Sequence, residues 1–389
     1  MMQQWPTLRD ENWKYTDLNA LSQKKFSASL PRQLDFYPHD WDISLVFVNG
    51  YFSAELSDIT LLPKEVIVLS LREALKTHAD LIYPYLLNES NGNAYPFSAW
   101  NAESLSDGLF LYVPKNSIIS SPIHLTFYSA EQTDFVVCPR NIIVADEASQ
   151  LTLIEDYRAS VDASDYLTNA VTTLTAMDNA NIQYVKIQDE HPSATHISHV
   201  FVNQQKASCV DTFFVDKGAL LARHELVTHL SEPDAVCDMK GLSFLERRGQ
   251  QVDHYVVADH AAPSSSSRMV YKGVLKAKST AVFNGKVMVR PSSDQAVSHQ
   301  ECHHLMLSPE AEVNTQPQLE IYADNVKCTH GATVGFLDQD KLFYCRARGI
   351  DPDDASNLLI QAFVSDVFNA ISNPLIREYV LIRTDHAEP

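Results

Sequence analysis

The sequence predicts a mainly β protein with helical regions at both ends. From about Leu109 to Phe336, short apolar runs follow one another with almost no helical periodicity. Between several of these runs a small residue (Ala148, Ala180, Ala219, Ala311) stands where the chain must turn. After Gly335 the apolar spacing changes from two to three and four, the period of a helix.

Residues 1–90 read as an N-terminal α-rich region. Trp13, Tyr15, Leu18 and Leu21 fall at helical spacing, and Leu71–Ile82 (LREALKTHADLI) is helix-like. The cluster Trp13-Lys14-Tyr15-Thr16 could form a contact surface, but aromatics at helical spacing are expected to be core. Residues 91–336 read as the β core, with runs such as LTLIED, IQYVKIQD and MVYKGVL. Recurrent corners suggest a β-solenoid, in which each coil stacks on the last. Their spacing is irregular, so periodicity leaves a β-sandwich equally open. Residues 337–389 read as a C-terminal helical domain. Asp338 can cap a first helix, with Gly349 at its stop. Asp351 with Pro352 opens a second helix, whose stripe includes Leu358, Leu359 and Phe363, and Asn373-Pro374 opens a third.

The 389 residues, 45% of them hydrophobic, suffice for two or three domains or one long solenoid. A formal charge of −19, from 49 acidic against 30 basic residues, excludes nucleic acid and anionic membrane as main partners. The first residues lack a basic segment followed by an apolar one, and no run of 18 apolar residues occurs, so a cytoplasmic protein is expected. Six scattered cysteines without CxxC spacing fit reduced thiols. With only 11 glycines and no glycine-rich phosphate loop, this chain is not expected to bind nucleotide; any ATP must be held by another subunit.

Three groups could carry chemistry. Cys328 and His330, two apart in a predicted strand, share a face and suit a soft or borderline metal, sulfur handling, or plain core packing. In His299-Gln300-Glu301-Cys302-His303-His304, strand alternation puts Cys302 and His304 on one face and His303 on the other. If coils stack Cys302 near Cys328 or His330, four such ligands would make an iron or zinc site. The stretch Asp253–His260 with Ser264–Ser267 reads as a polar loop or corner ladder rather than a nucleophile stretch, since no GxSxG elbow is present.

Glu11–Leu18 (ENWKYTDL), Ser265–Leu275 (SSSRMVYKGVL), Ala281–Val289 (AVFNGKVMV), Pro317–Gly335 (PQLEIYADNVKCTHGATVG) and Leu342–Asp351 (LFYCRARGID) occur in that order. Together they resemble the SufB/SufD family of iron–sulfur cluster assembly proteins, most closely its SufD type. The resemblance implies a right-handed parallel β-helix between N-terminal and C-terminal helical regions. It also implies a non-catalytic scaffold subunit that pairs with SufB through the β-helix and with the ABC-type ATPase SufC through the C-terminal helices, here Leu358, Leu359 and Phe363. A transient cluster or iron would lie at the SufB interface. His330 and then Cys328 would be the interface residues, with His330 and Cys302 as metal ligands. A homodimer is possible in isolation. Two rival readings are a SufB-like homodimeric scaffold and a self-contained β-solenoid metalloenzyme. The chain departs from the SufD type at Glu301–Leu307 (ECHHLML), where an asparagine-rich stretch is usual. Cys302 falls where SufB carries a cysteine, and Gly331 where SufB has a glutamate. Cys302 is thus either an added thiol or a packed core residue.

Overall fold

The computed structural model describes residues 5–34, 41–87, 95–130 and 132–384. A 3-10 turn (Glu11–Trp13), α1 (Asn19–Gln23) and β1 (Ser27–Ala28) lead to β2 (Ile43–Val48), β3 (Tyr51–Asp58) and β4 (Ile67–Ser70). Three helices follow: α2 (Leu71–Thr77), α3 (Ala79–Leu87) and α4 (Pro96–Glu103). Then come β5 (Leu109–Val113), β6 (Ile123–Ser129), β7 (Phe135–Val137), β8 (Arg140–Ala145), β9 (Gln150–Ala159), β10 (Leu167–Ala176), β11 (Asn181–Asp189), β12 (Thr195–Gln204) and β13 (Cys209–Asp216). The series continues with β14 (Leu221–Leu230), β15 (Val236–Leu245), β16 (Gln251–His260), β17 (Ser266–Leu275), β18 (Thr280–Val289), β19 (Val297–Met306), β20 (Glu312–Ile321) and β21 (Lys327–Phe336). The chain ends in α5 (Gln339–Ala347), α6 (Pro352–Asn369) and α7 (Pro374–Arg383).

Even-numbered strands from β8 to β20 lie side by side in one sheet, and odd-numbered strands from β9 to β21 in a second. Each strand pairs in parallel with the strand two later, for example Arg223 with Asp253 and Ser298 with Cys328, 30 residues apart. This is a parallel β-solenoid with two strands per coil, which decides between the two β architectures left open by the sequence. Among the described residues only β2–β3 and β4–β5 are antiparallel.

The corners explain how so few glycines suffice. Ala148, Asn179, Ala207, Asp234, Ser264 and Gln295 each adopt a positive φ of 50–65° at the turn from an even to an odd strand. Each donates its backbone N–H to a carbonyl on the next coil, from Ala148 to Asp178 O through Gln295 to Asn325 O, at 2.7–3.4 Å. The left-handed backbone of each corner is thus held by its neighbour. A buried small residue follows each one (Ser149, Ala180, Ser208, Ala235, Ser265, Ala296). Ala219 and Ala311 belong to the opposite set of corners.

The interior is packed continuously from Ile43 to Cys302. The outer face of the first sheet is covered by N-terminal residues, with Trp13, Leu18, Leu21, Phe97 and Trp100 against Leu167 and Ile197. On the second sheet, α6 and α7 lay Ile360, Val364, Val367, Ile376 and Val380 over Ile187, Phe213, Leu242 and Val270. Trp13 is core, as expected, but Tyr15 is exposed and the segment is a 3-10 turn and a short helix rather than one helix. The N-terminal stretch read as α-rich also supplies β1–β4. The wholly buried run Ile43–Val48 is a strand because a short, continuous apolar run with β-branched residues fits a sheet covered on both faces. No helix among the described residues is long and apolar enough to cross a membrane.

Candidate functional site at the open end

The last coil has no successor. β20 pairs only with β18 and β21 only with β19, so each presents one unpaired ten-residue edge among the described residues. Strand alternation turns Ser298, Gln300, Cys302 and His304 of β19 inward, with Cys328 and His330 of β21 stacked on the same face. The shared face of Cys328 and His330, and that of Cys302 and His304, are as the sequence predicts.

The register separates these groups. Cys328 stands opposite Ser298, His330 opposite Gln300, and Cys302 opposite Ala332. His330 is therefore diagonal to Cys302, and Cys328 is four positions out of step. Among the described residues no three His, Cys, Asp or Glu side chains could hold a metal ion. The four-ligand site that coil stacking could have made is not assembled among the described residues. The register staggers its candidate ligands over different rungs of the inner face.

Cys302 is 1% exposed, and burial pushes its thiol pKa well up, so it is a thiol rather than a thiolate. Its Sγ lies 3.4 Å from His304 Nδ1. Burial, then the neighbouring His254 and His303, pulls His304 down to about 3 and keeps it neutral. Cys328 is half-buried, and burial raises its pKa as well. His330 is exposed, and its ring makes no hydrogen bond to any described residue. On the outer face, His299 Nε2 sits 3.0 Å from Glu301 Oε1, while His299 and His303 lean on Thr329 and Thr333 at 2.6 and 2.7 Å.

Two glycines make room for the inward side chains. A Cβ on Gly273 would lie 2.5 Å from His304 Cδ2, and one on Gly285 would lie 1.7 Å from Gln300 Nε2. Gln300 is fully buried, yet neither of its amide atoms has a partner.

Behind this end runs a buried polar row that the sequence reading missed. Lys186 pairs with Glu155 at 3.1 Å, and Tyr157, Tyr184 and Thr172 all donate to that carboxylate. Burial opposes the charge on Glu155, but Lys186 and the three hydroxyls outweigh it and lower its pKa. Farther along, Asp216 lies 2.7 Å from His224 Nε2 and 2.9 Å from His254 Nε2. The signal was a polar residue at inward positions of successive strands (Ser198, His224, His254 in register), visible only once the corners are aligned. His260 meets Ser265 and Ser267 at 2.8 Å each, and Ser267 meets Ser298 at 2.8 Å, which is the predicted corner ladder.

The two flanking regions are held by ionic anchors. Fully buried Arg223 bonds Glu225 and Asp253 and lies 3.7 Å from the Trp13 ring, and Thr16 donates to Asp253. At the other flank, Asp156 accepts from Tyr379 of α7 at 2.6 Å and from Arg158 at 2.7 Å, while Arg383 reaches Asp189 at 2.8 Å. In α6, Leu358 is exposed, Leu359 half-buried, and Phe363 packs toward the body beneath Lys272.

Residues 127–363 match the family model described as SUF system FeS cluster assembly, SufBD core domain, and residues 1–125 match the SufBD protein N-terminal region. An iron–sulfur cluster assembly SufBD family protein of Synechocystis sp. is 33% identical over 94% of this chain and 84% of its own length. The iron–sulfur cluster assembly proteins SufD of Escherichia coli and Bacillus subtilis are each 28% identical. They cover 99% and 82% of this chain, and 89% and 72% of their own lengths.

Proposed function

The chain belongs to the SufBD family, and from that premise we propose that it is a non-catalytic scaffold subunit of an iron–sulfur cluster assembly complex. In this reading it pairs through its open β-solenoid end with a SufB-type subunit in the cytoplasm. Its C-terminal helices engage a SufC-type ATPase. The observation that carries the reading is the incomplete last coil. Two unpaired edges border an inner face where the His330 ring is exposed, Cys328 is half-exposed, and no group of three ligands exists among the described residues. Long unpaired edges call for a cover, and a site lacking ligands calls for a partner to supply them.

The nascent cluster is cargo rather than a resident cofactor. His330 is its foremost contact on this chain and Cys328 the second. Cys302 can contribute only if partner binding opens the coil and lets the thiol ionise. On the ATPase side, Leu358 is the exposed member of the α6 stripe, joined by Phe343 and Tyr344 of α5, which are 71% and 58% exposed. Leu359 lies between, and Phe363 would support the surface from beneath.

Co-expression with SufB-type and SufC-type subunits, followed by iron and acid-labile sulfide analysis with and without His330→Ala, tests this. The expected result is a three-component complex whose cluster content falls sharply in H330A. Failure of either partner to co-purify refutes the assembly, and a normal cluster yield in H330A refutes the role of His330. A homodimer that persists when the SufB-type subunit is added points instead to a homodimeric scaffold.

A further inference from the structure

Gln300 is the most conspicuous unexplained residue at the open end. Its side chain is fully buried, and both Oε1 and Nε2 lack a partner. Leaving a buried donor or acceptor unsatisfied is destabilising. The fold nevertheless makes space for this amide: β18 carries Gly285 opposite it, where any Cβ would collide with Nε2. A side chain that costs stability, in a slot kept open by a missing side chain, points to a partner that arrives later.

The register names the candidate. Gln300 and His330 are directly paired on β19 and β21, both on the inner face. Neighbouring strands in a sheet lie about 4.7–4.9 Å apart, which makes the two side chains neighbours on one rung of the inner face. The His330 ring is exposed and makes no side-chain hydrogen bond to a described residue, so nothing competes for it. A ligating histidine almost always donates its second ring N–H to an acceptor, which fixes its tautomer and orientation.

We infer that Gln300 is a positioning residue for His330: once a partner covers the open end, Gln300 Oε1 accepts the ring N–H of His330. The other ring nitrogen then presents its lone pair to the incoming iron. This rests on the assembly reading above. Gln300 does not touch the cargo; it acts through the imidazole.

The test compares Gln300→Met with the wild-type chain in two settings. In the isolated chain, thioether for amide removes two unsatisfied groups, so the melting temperature should stay level or rise. In the cluster-free complex with SufB-type and SufC-type subunits, ¹⁵N-histidine spectra should show His330, assigned by its absence in His330→Asn, as a single tautomer. In Q300M it should be a mixture, and iron affinity should fall about 10–100-fold. A fall of several degrees in the isolated chain would show that the amide is satisfied structurally and overturn the inference. So would an unchanged His330 tautomer in the mutant complex. If the wild-type complex does not form, the assembly reading fails, while the melting comparison still judges the unsatisfied amide.

Discussion

Asp156→Asn should release the last helix from the β body without unfolding the body. Asp156 is 0% exposed on the outer face of β9, beneath α7. It accepts from Tyr379 Oη and Arg158 Nε and lies 3.4 Å from His124 Nε2 and 3.8 Å from Arg383. Burial alone would raise its pKa, but the bond to His124 and the charges of Arg158 and Arg383 win and hold it well below the usual carboxylate range. Asparagine keeps the shape and deletes the charge, leaving two arginines without it. Breaking a buried pair in this way costs about 3–5 kcal/mol. Since each 1.4 kcal/mol is a factor of ten, amide protection in α7 should drop by roughly two to four orders of magnitude. Hydrogen exchange followed by mass spectrometry reads this directly, with β9–β17 as internal reference. A lowered folded-state carboxylate pKa stabilises above the unfolded value, about 3.9, and that stability is lost as pH falls through the folded pKa. Wild-type α7 should therefore stay protected from neutral pH to about 4 and loosen below it, whereas D156N is already loose at pH 7. Equal α7 protection in the two proteins at pH 7 refutes the anchor.

Arg223→Ala should detach the N-terminal segment. It strands Glu225 and Asp253, both nearly fully buried, at a cost of about 3–5 kcal/mol, and removes the cation over Trp13. A red shift of tryptophan emission, absent when Trp13 is also replaced by Phe, checks it; an unshifted spectrum refutes it. Acid should also weaken the whole chain. Burial lowers His260 to about 4 and His224 to about 3, so both are neutral when folded. The unfolded chain takes up these protons from about pH 6.5 downward. Stability should be full above that pH and decline toward pH 3, with His260 alone accounting for about 3 kcal/mol by pH 4. A melting temperature that stays flat from pH 7 to 4 refutes neutral burial.

The helix caps were legible because their determinants are local. Asp338, Asp351 and Asn373 each accept from a backbone N–H one or two residues into the helix that follows, as the cap residues in the sequence indicate. The solenoid was only half legible. Its repeat lies in a left-handed backbone corner that alanine, asparagine, aspartate, serine or glutamine can fill when the next coil holds it, so no single residue type marks it. Ala148 and Ala219 were visible; Asp234 and Gln295 were not. The inner face of the open end was readable from strand alternation, whereas the stagger between Cys302 and His330 depends on coil lengths, which irregular corners hide. Gln300 was in view inside the HQECHH run, but its meaning required knowing that Gly285 faces it across the coil.

The C-terminal helices are fastened to the β body to different degrees. α6 and α7 are fastened to the second sheet by an apolar layer, by Lys272 bonding Phe363 O and Asp366 at 2.7 Å each, and by the Asp156 anchor. α5 has no buried residue, and a cleft of about 520 Å³, lined by Leu307, Leu337 and Leu342, separates it from the body. Only Leu337 and Asp338 lie between the end of β21 and the start of α5. Phe343 and Tyr344 thus sit on a helix joined by two residues to the strand that carries His330, whereas α7 is tied to the body through Tyr379 and Asp156. Under the proposed assembly, α5 is the moving arm and α7 the fixed support. D156N then separates the two roles, because it should loosen the support while leaving β21, Gln300 and His330 in register.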